Sequence, residues 1–165
     1  MIRAALPEYN RTVERRLAAT LTAGALLWAL ALFLAPLTVH AGGSLAAPAG
    51  LVYEIARRIC HQRPERSFHL AGVQLPVCAR CAGLYVSGAA AALAAWIGRG
   101  REGSADTTRI LLGLAAGPTA VTVAMELAGL AHPGNVARAC SALPLGAAAG
   151  WIFVRSLRAE ASVAL

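Results

Sequence analysis

Lysine is absent from this sequence, so all 15 basic residues are arginines. Charged residues of either sign are also scarce, at 14% of 165, well short of the quarter or so typical of a soluble domain. Aromatic residues make up only 5%. Together these shortages exclude the composition of a water-soluble globular protein. They also qualify the formal net charge of +7, which would otherwise invite a nucleic-acid reading. The arginines punctuate apolar segments and form no run interleaved with aromatics. They therefore read as stop-transfer and orientation signals, and no nucleic-acid partner is expected.

What is abundant points the same way. Hydrophobic residues reach 58% and the mean hydropathy is +0.59, which places the chain in a lipid bilayer as a single membrane domain. Alanine and glycine are plentiful, a composition suited to close helix packing in lipid.

Residues 1–16 are polar, with Arg3, Arg11, Arg15 and Arg16 set against Glu8 and Glu14. An uncharged run over 17–39 follows, long enough to cross a hydrocarbon core of about 30 Å. The "TVHA" before Gly42 resembles a signal-peptidase site, but the apolar run exceeds an ordinary signal core and reads as a retained span. Residues 50–60 carry Leu51, Val52, Ile55 and Ile59 at helical spacing, with Glu54, Arg57 and Arg58 on the other side. That pattern predicts an amphipathic helix at the membrane interface. Further spans are predicted over 76–98, with Pro76 in the first turn, over 110–131, with Pro118 as a kink, and over 136–154. A polar loop, "RGREGSADTTR", separates the second span from the third. The fold expected is all-α: a polytopic bundle of four transmembrane helices with an interfacial helix between the first two. Three small-xxx-small pairs, Gly83/Ser87, Gly113/Gly117 and Gly146/Gly150, are expected at helix–helix contacts.

Four spans put both termini on one side, with Arg3, Arg11, Arg15, Arg16, Arg99, Arg101, Arg109, Arg155 and Arg158. Arg57, Arg58, Arg63, Arg66 and Arg138 fall opposite. The positive-inside rule then makes both termini cytoplasmic in a multi-pass cell-membrane protein. His40, His61, His69 and His132 all fall at the extracytoplasmic face, as do Cys60, Cys78 and Cys81. Avoidance of hydrocarbon alone would not choose a single face. Arg80 and Glu126 each lie about one turn inside a span from that face, where an unpaired charge is costly. They are expected to pair, with Arg138 close enough to join them.

Cys78-Ala-Arg-Cys81 puts two sulfurs three residues apart at the start of a helix, where the helix N-terminus and nearby arginines favour thiolate. Cys60 offers a third sulfur, and His61 or His69 a fourth donor, which together make the Cys₃His set of a closed zinc site. Cys140 stands alone in an alanine-rich helix and reads as a buried small hydrophobe.

Over "CHQRPERSF…LPVCARCAGLY" the chain resembles the bacterial and archaeal membrane proteins of domain-of-unknown-function family 2085. The resemblance runs through Cys60, His61, Gln62, Pro64, Arg66, Ser67, Pro76, Cys78, Arg80, Cys81, Gly83 and Tyr85. A second block, "ELAGLAHPGNVARACSALPLG", resembles the family's later segment through Glu126, Asn135, Arg138 and Gly146. An Asp and a Gln stand in many members where this chain has Thr122 and Glu126. His69 replaces a usual aromatic, and Cys140 matches no motif position. The resemblance implies a small polytopic membrane protein and carries no established activity.

Three functions follow from these residues. The first is a metal centre, with zinc as the cofactor, on Cys60, Cys78, Cys81 and His61. Arg66, Arg80, Asn135 and Arg138 would receive an anionic small molecule or lipid, with Gln62, Ser67 and Tyr85 around them. In an enzyme, His61, Arg80 and Glu126 are the catalytic candidates. The second is thiol–disulfide exchange by Cys78 and Cys81, with Cys60 as resolving thiol. The third is a structural staple in a channel or partner-binding protein. Oligomeric state is left open.

Overall fold

The computed structural model describes the backbone of residues 2–98 and 105–163, and the side chains of 12–44, 46–98 and 106–158. Its elements are α1 (Ile2–Ala41), α2 (Ala46–Arg57), β1 (His69–Leu70), β2 (Val73–Gln74), α3 (Ala79–Ile97), α4 (Ala105–Leu127) and α5 (Asn135–Val163). Four helical stretches are long and apolar enough to cross a membrane: Thr12–Ala41, Ala79–Ile97, Asp106–Leu127 and Asn135–Arg158. The chain is thus an all-helical membrane bundle with one shorter helix, α2, between the first two spans. Arg99 and Arg101, in the polar loop before α4, lie outside the described residues.

The helix ends depart from the sequence expectation for local reasons. Pro76 stays ahead of α3, whose N-cap is Cys78 in an extended conformation, so the helix proper begins at Ala79. The CARC motif therefore straddles a cap and a first turn, and its two sulfurs do not both project from a regular helix. At the far end of α4, Gly129 adopts φ +67°. The Leu130 N–H there returns to the Met125 carbonyl at 2.9 Å, a left-handed closure that ends the helix before Ala131.

Helices α3 and α5 form the tightest pair in the bundle. A methyl group on Gly83 would run into the Ala139 carbonyl, one on Gly146 into the Leu84 carbonyl and the Ser87 hydroxyl, and one on Gly150 into the Gly88 carbonyl. Glycine lets the two backbones touch, and dispersion between them replaces the hydrophobic drive that lipid cannot supply. Gly113 and Gly117 correct the expectation for their pair, because neither has any neighbour within 4 Å in its Cβ direction. That stripe of α4 turns away from the bundle. Polar ties join other pairs: Trp96 Nε1 donates to Thr22 Oγ1 at 3.0 Å, joining α3 to α1, and Thr119 Oγ1 donates to the Ser141 carbonyl at 2.8 Å, joining α4 to α5.

Helix α2 carries three faces rather than two. Ala49 and Ala56 are buried and Val52 packs on the core, whereas Leu51 and Ile55, and Ile59 in the turn just past the helix, are exposed. Glu54 pairs with Arg57 at 2.9 Å and with Arg58 at 3.7 Å on the remaining side. One face for protein, one for lipid and one for water suit a helix lying in the interface plane.

The hinge between α2 and α3 closes through a two-stranded antiparallel ribbon, with His69 opposite Gln74 and Leu70 opposite Val73. Its loop residues Ala71 (φ +50°) and Gly72 (φ +79°) are both left-handed, which matches the twist of a two-residue hairpin. Beneath it Leu32, Ala56, Cys60, Leu75, Val77, Cys78 and Ala82 form the buried cluster that joins α1, α2, the hinge and α3.

Candidate functional site

The hinge end holds two polar clusters, and α3 stands between them. The first is built on sulfur. Helix α2 stops at Arg57, and the chain at 60–63 is irregular, with Gln62 in a left-handed conformation at φ +48°. This break lets two adjacent residues aim at one point, because Cys60 Sγ lies 3.7 Å from His61 Nδ1. The Cys78 N–H donates to Cys60 Sγ at 3.1 Å across the hinge. Ligand atoms of Cys60, His61 and Cys78 all fall within 4.8 Å of one another. Two zinc ligands about 2.3 Å from the metal sit nearly 4 Å apart, so an ion would have to draw these atoms in by no more than about an ångström.

Both sulfurs are buried, whereas His61 is exposed. Hydrogen bonding with Cys81 pulls the Cys78 thiol, just outside the span, well below the ordinary thiol range against the opposing effect of burial. Cys81 is half-buried and packs on the same core, but its sulfur lies outside the group of mutually close ligand atoms. All four cysteines are free thiols. Cys140 is exposed, which corrects the reading of it as a buried residue. His40, His69 and His132 are exposed as well, and among the described residues only His61 joins the sulfurs.

The second cluster is built on one carboxylate. Arg138 Nε lies 2.7 Å from Glu126 Oε1, Arg80 NH2 3.1 Å from the same oxygen, and Arg66 NH1 3.7 Å from Oε2. Side-chain exposures of 7% for Glu126, 10% for Arg138 and 16% for Arg80 mark these charges as desolvated. Arg66 is 33% exposed and forms the rim. Around them Arg138 NH1 donates to Asn135 Oδ1 at 3.1 Å, and Asn135 Nδ2 donates to the Ser67 carbonyl at 2.9 Å. Arg80 NH2 reaches Thr122 Oγ1 at 3.4 Å, so threonine occupies the space beside the guanidinium. The buried Arg80 Nε has no hydrogen-bond partner.

The arginines therefore do not surround the sulfurs. Cys60, Cys78 and Cys81 face α1 and α2, whereas Arg80 turns to α4 and α5. Glu126 and Arg80, expected as catalytic candidates, are engaged with each other.

Other expected residues serve the hinge. Gln62 Nε2 donates to the Tyr53 carbonyl at 2.9 Å and to the Pro76 carbonyl at 2.7 Å. Ser67 Oγ donates to the Arg63 carbonyl at 2.8 Å. Tyr85 stacks edge-on against Trp28, 6.2 Å between ring centres, and belongs to the core. Two participants escaped the sequence reading. Gln74 Nε2 donates to the Gln62 carbonyl at 2.7 Å, and Ser141 Oγ meets Thr122 Oγ1 at 3.2 Å. The Ala71-Gly72 loop signalled the hairpin that positions Gln74.

A family model described as a predicted membrane protein (DUF2085) matches residues 60–152, a stretch that begins at Cys60 and contains both clusters. An uncharacterized protein of Methanothermobacter thermautotrophicus is 36% identical over 90 residues, which is 54% of this chain and 79% of that protein. An uncharacterized protein of Methanocaldococcus jannaschii is 38% identical over 63 residues, 36% of this chain and 40% of that protein. No solved structure matches.

Proposed function

The chain belongs to this family of predicted membrane proteins, and on that premise we propose that it is a metal-binding membrane protein with an anion pocket beside the metal. Cys60, Cys78 and His61 hold the ion, Cys81 stands next to complete the set, and zinc is the metal that two or three thiolates and an imidazole suit best. The carrying observation is the convergence of three ligand atoms within 4.8 Å from two segments that are separate in sequence. The ion would fasten the α2 exit to the α3 entry, and would hold in place the hinge from which Arg66 projects.

Across α3, Arg66, Arg80, Arg138 and Asn135 form the pocket for an anionic ligand. In the proposed topology both termini are cytoplasmic in the cell membrane and the hinge is outside. Arg15, Arg16, Arg109, Arg155 and Arg158 then mark the inner end.

Elemental analysis of the detergent-purified protein tests the reading. About one zinc per chain is expected, lost in Cys60→Ser and Cys78→Ser. A metal-free protein carrying a reducible Cys78–Cys81 bond would replace this reading with thiol–disulfide exchange.

A further inference from the structure

The second cluster is built against the usual electrostatics of helix ends. Arg80 is the second residue of α3, Arg138 the fourth of α5, and Glu126 the last but one of α4. Each therefore sits at the helix end whose dipole has the same sign as its own charge. An ion pair placed for stability alone would gain from the opposite arrangement. Here two positive helix ends and three guanidiniums converge on a single carboxylate, and one buried donor, Arg80 Nε, is left over. Three positive charges less one leave an excess of two, one of it held by groups withdrawn from water and the other at the 33% exposed rim by Arg66. At this depth such an excess calls for a counter-ion.

A phosphate monoester carries about −1.5 to −2 charges at neutral pH, which matches the excess. A phosphodiester carries only one negative charge and matches half of it. Arginine forks also suit the three oxygens of a monoester.

The same three helices offer a place for a chain attached to that phosphate. A groove of about 450 Å³ is lined by Ala91 of α3, Leu111, Leu114 and Ala115 of α4, and Pro144 and Trp151 of α5 among others. At about 1.5 Å per residue, its near edge at Pro144 lies roughly 9 Å along α5 from Arg138. The groove is apolar, and α4 leaves it open towards lipid.

We propose that this pocket binds a lipid phosphomonoester, the phosphate on Arg66, Arg80 and Arg138 and an acyl chain in the α3–α4–α5 groove; this rests on the reading of the arginine cluster as an anion pocket. Native mass spectrometry of the full chain in detergent tests it, by titration with dioleoyl phosphatidic acid, dioleoyl phosphatidylglycerol and inorganic phosphate. The expected result is one phosphatidic acid per chain, bound about tenfold more tightly than phosphatidylglycerol, with inorganic phosphate a weak competitor. Arg66→Gln, at the exposed rim where folding is least at risk, should remove most of that preference. Equal binding of the two lipids, with ready displacement by inorganic phosphate, would overturn the lipid assignment and leave the anion pocket standing. Absence of binding by all three probes would overturn both.

Discussion

The backbone N–H of Cys78 points at the sulfur of Cys60 from 3.1 Å, so the residue that caps α3 is tied to the one that follows α2. That tie holds the Cys60 sulfur at the entry of α3, beside the second sulfur of the group. Single Cys60→Ser and Cys78→Ser changes should each abolish metal retention, whereas Cys140→Ser should leave it intact. His61→Ala should weaken retention by at least about tenfold, the range seen when a supporting partner is lost, and His69→Ala by far less. Metal content after dialysis against a graded chelator measures this order.

Glu126 is the only carboxylate paired with the arginines of the second cluster among the described residues. Its replacement by alanine should destabilise the protein by about 3–5 kcal/mol, because two desolvated cations, Arg80 and Arg138, lose their counter-charge. Arg80→Ala should cost less. The double mutant should be less damaged than the two losses summed, with a coupling of about 0.5–3 kcal/mol. Unfolding in detergent with increasing dodecyl sulfate provides the measurement, and additive losses would contradict the pairing.

The α3–α5 contact predicts a contrast between glycines. Gly83→Ala places a methyl group on the Ala139 carbonyl and should cost about 1–3 kcal/mol through overpacking. Gly113→Ala meets open space and should be neutral or stabilising by up to about 1 kcal/mol through helix propensity. The same unfolding assay separates them.

Orientation is testable with single cysteines at two exposed positions, Glu65→Cys in the hinge and Asp106→Cys at the start of α4. On intact cells an impermeant maleimide should label the first and spare the second. The reverse pattern would invert the topology.

Much of this arrangement was legible in the residues. Long uncharged runs define spans because lipid permits little else, and an intramembrane Arg80 and Glu126 had to find partners. Convergence of Cys60 with Cys78 followed from the hinge returning the chain to the same face. Other features were hidden by their dependence on three-dimensional detail. Which side of α3 Arg80 takes depends on the rotation of the helix against its neighbours, which turns Arg80 to Glu126 and Thr122 while Cys78 and Cys81 pack on the core cluster. The interlock of Gln62 with Gln74 depends on the hairpin that places Gln74 opposite His69. The outward turn of Gly113 and Gly117 could not be told from the inward turn of Gly146 and Gly150, since both pairs share one spacing and differ only in the rotation of their helices.

X-ray absorption at the zinc edge of the purified protein bears most directly on the metal centre. The expected spectrum has two or three sulfur scatterers at about 2.3 Å and at least one nitrogen at about 2.0–2.1 Å, and Cys60→Ser protein purified alongside should give no zinc edge. A shell of oxygen or nitrogen alone, unchanged by Cys60→Ser, would contradict the account.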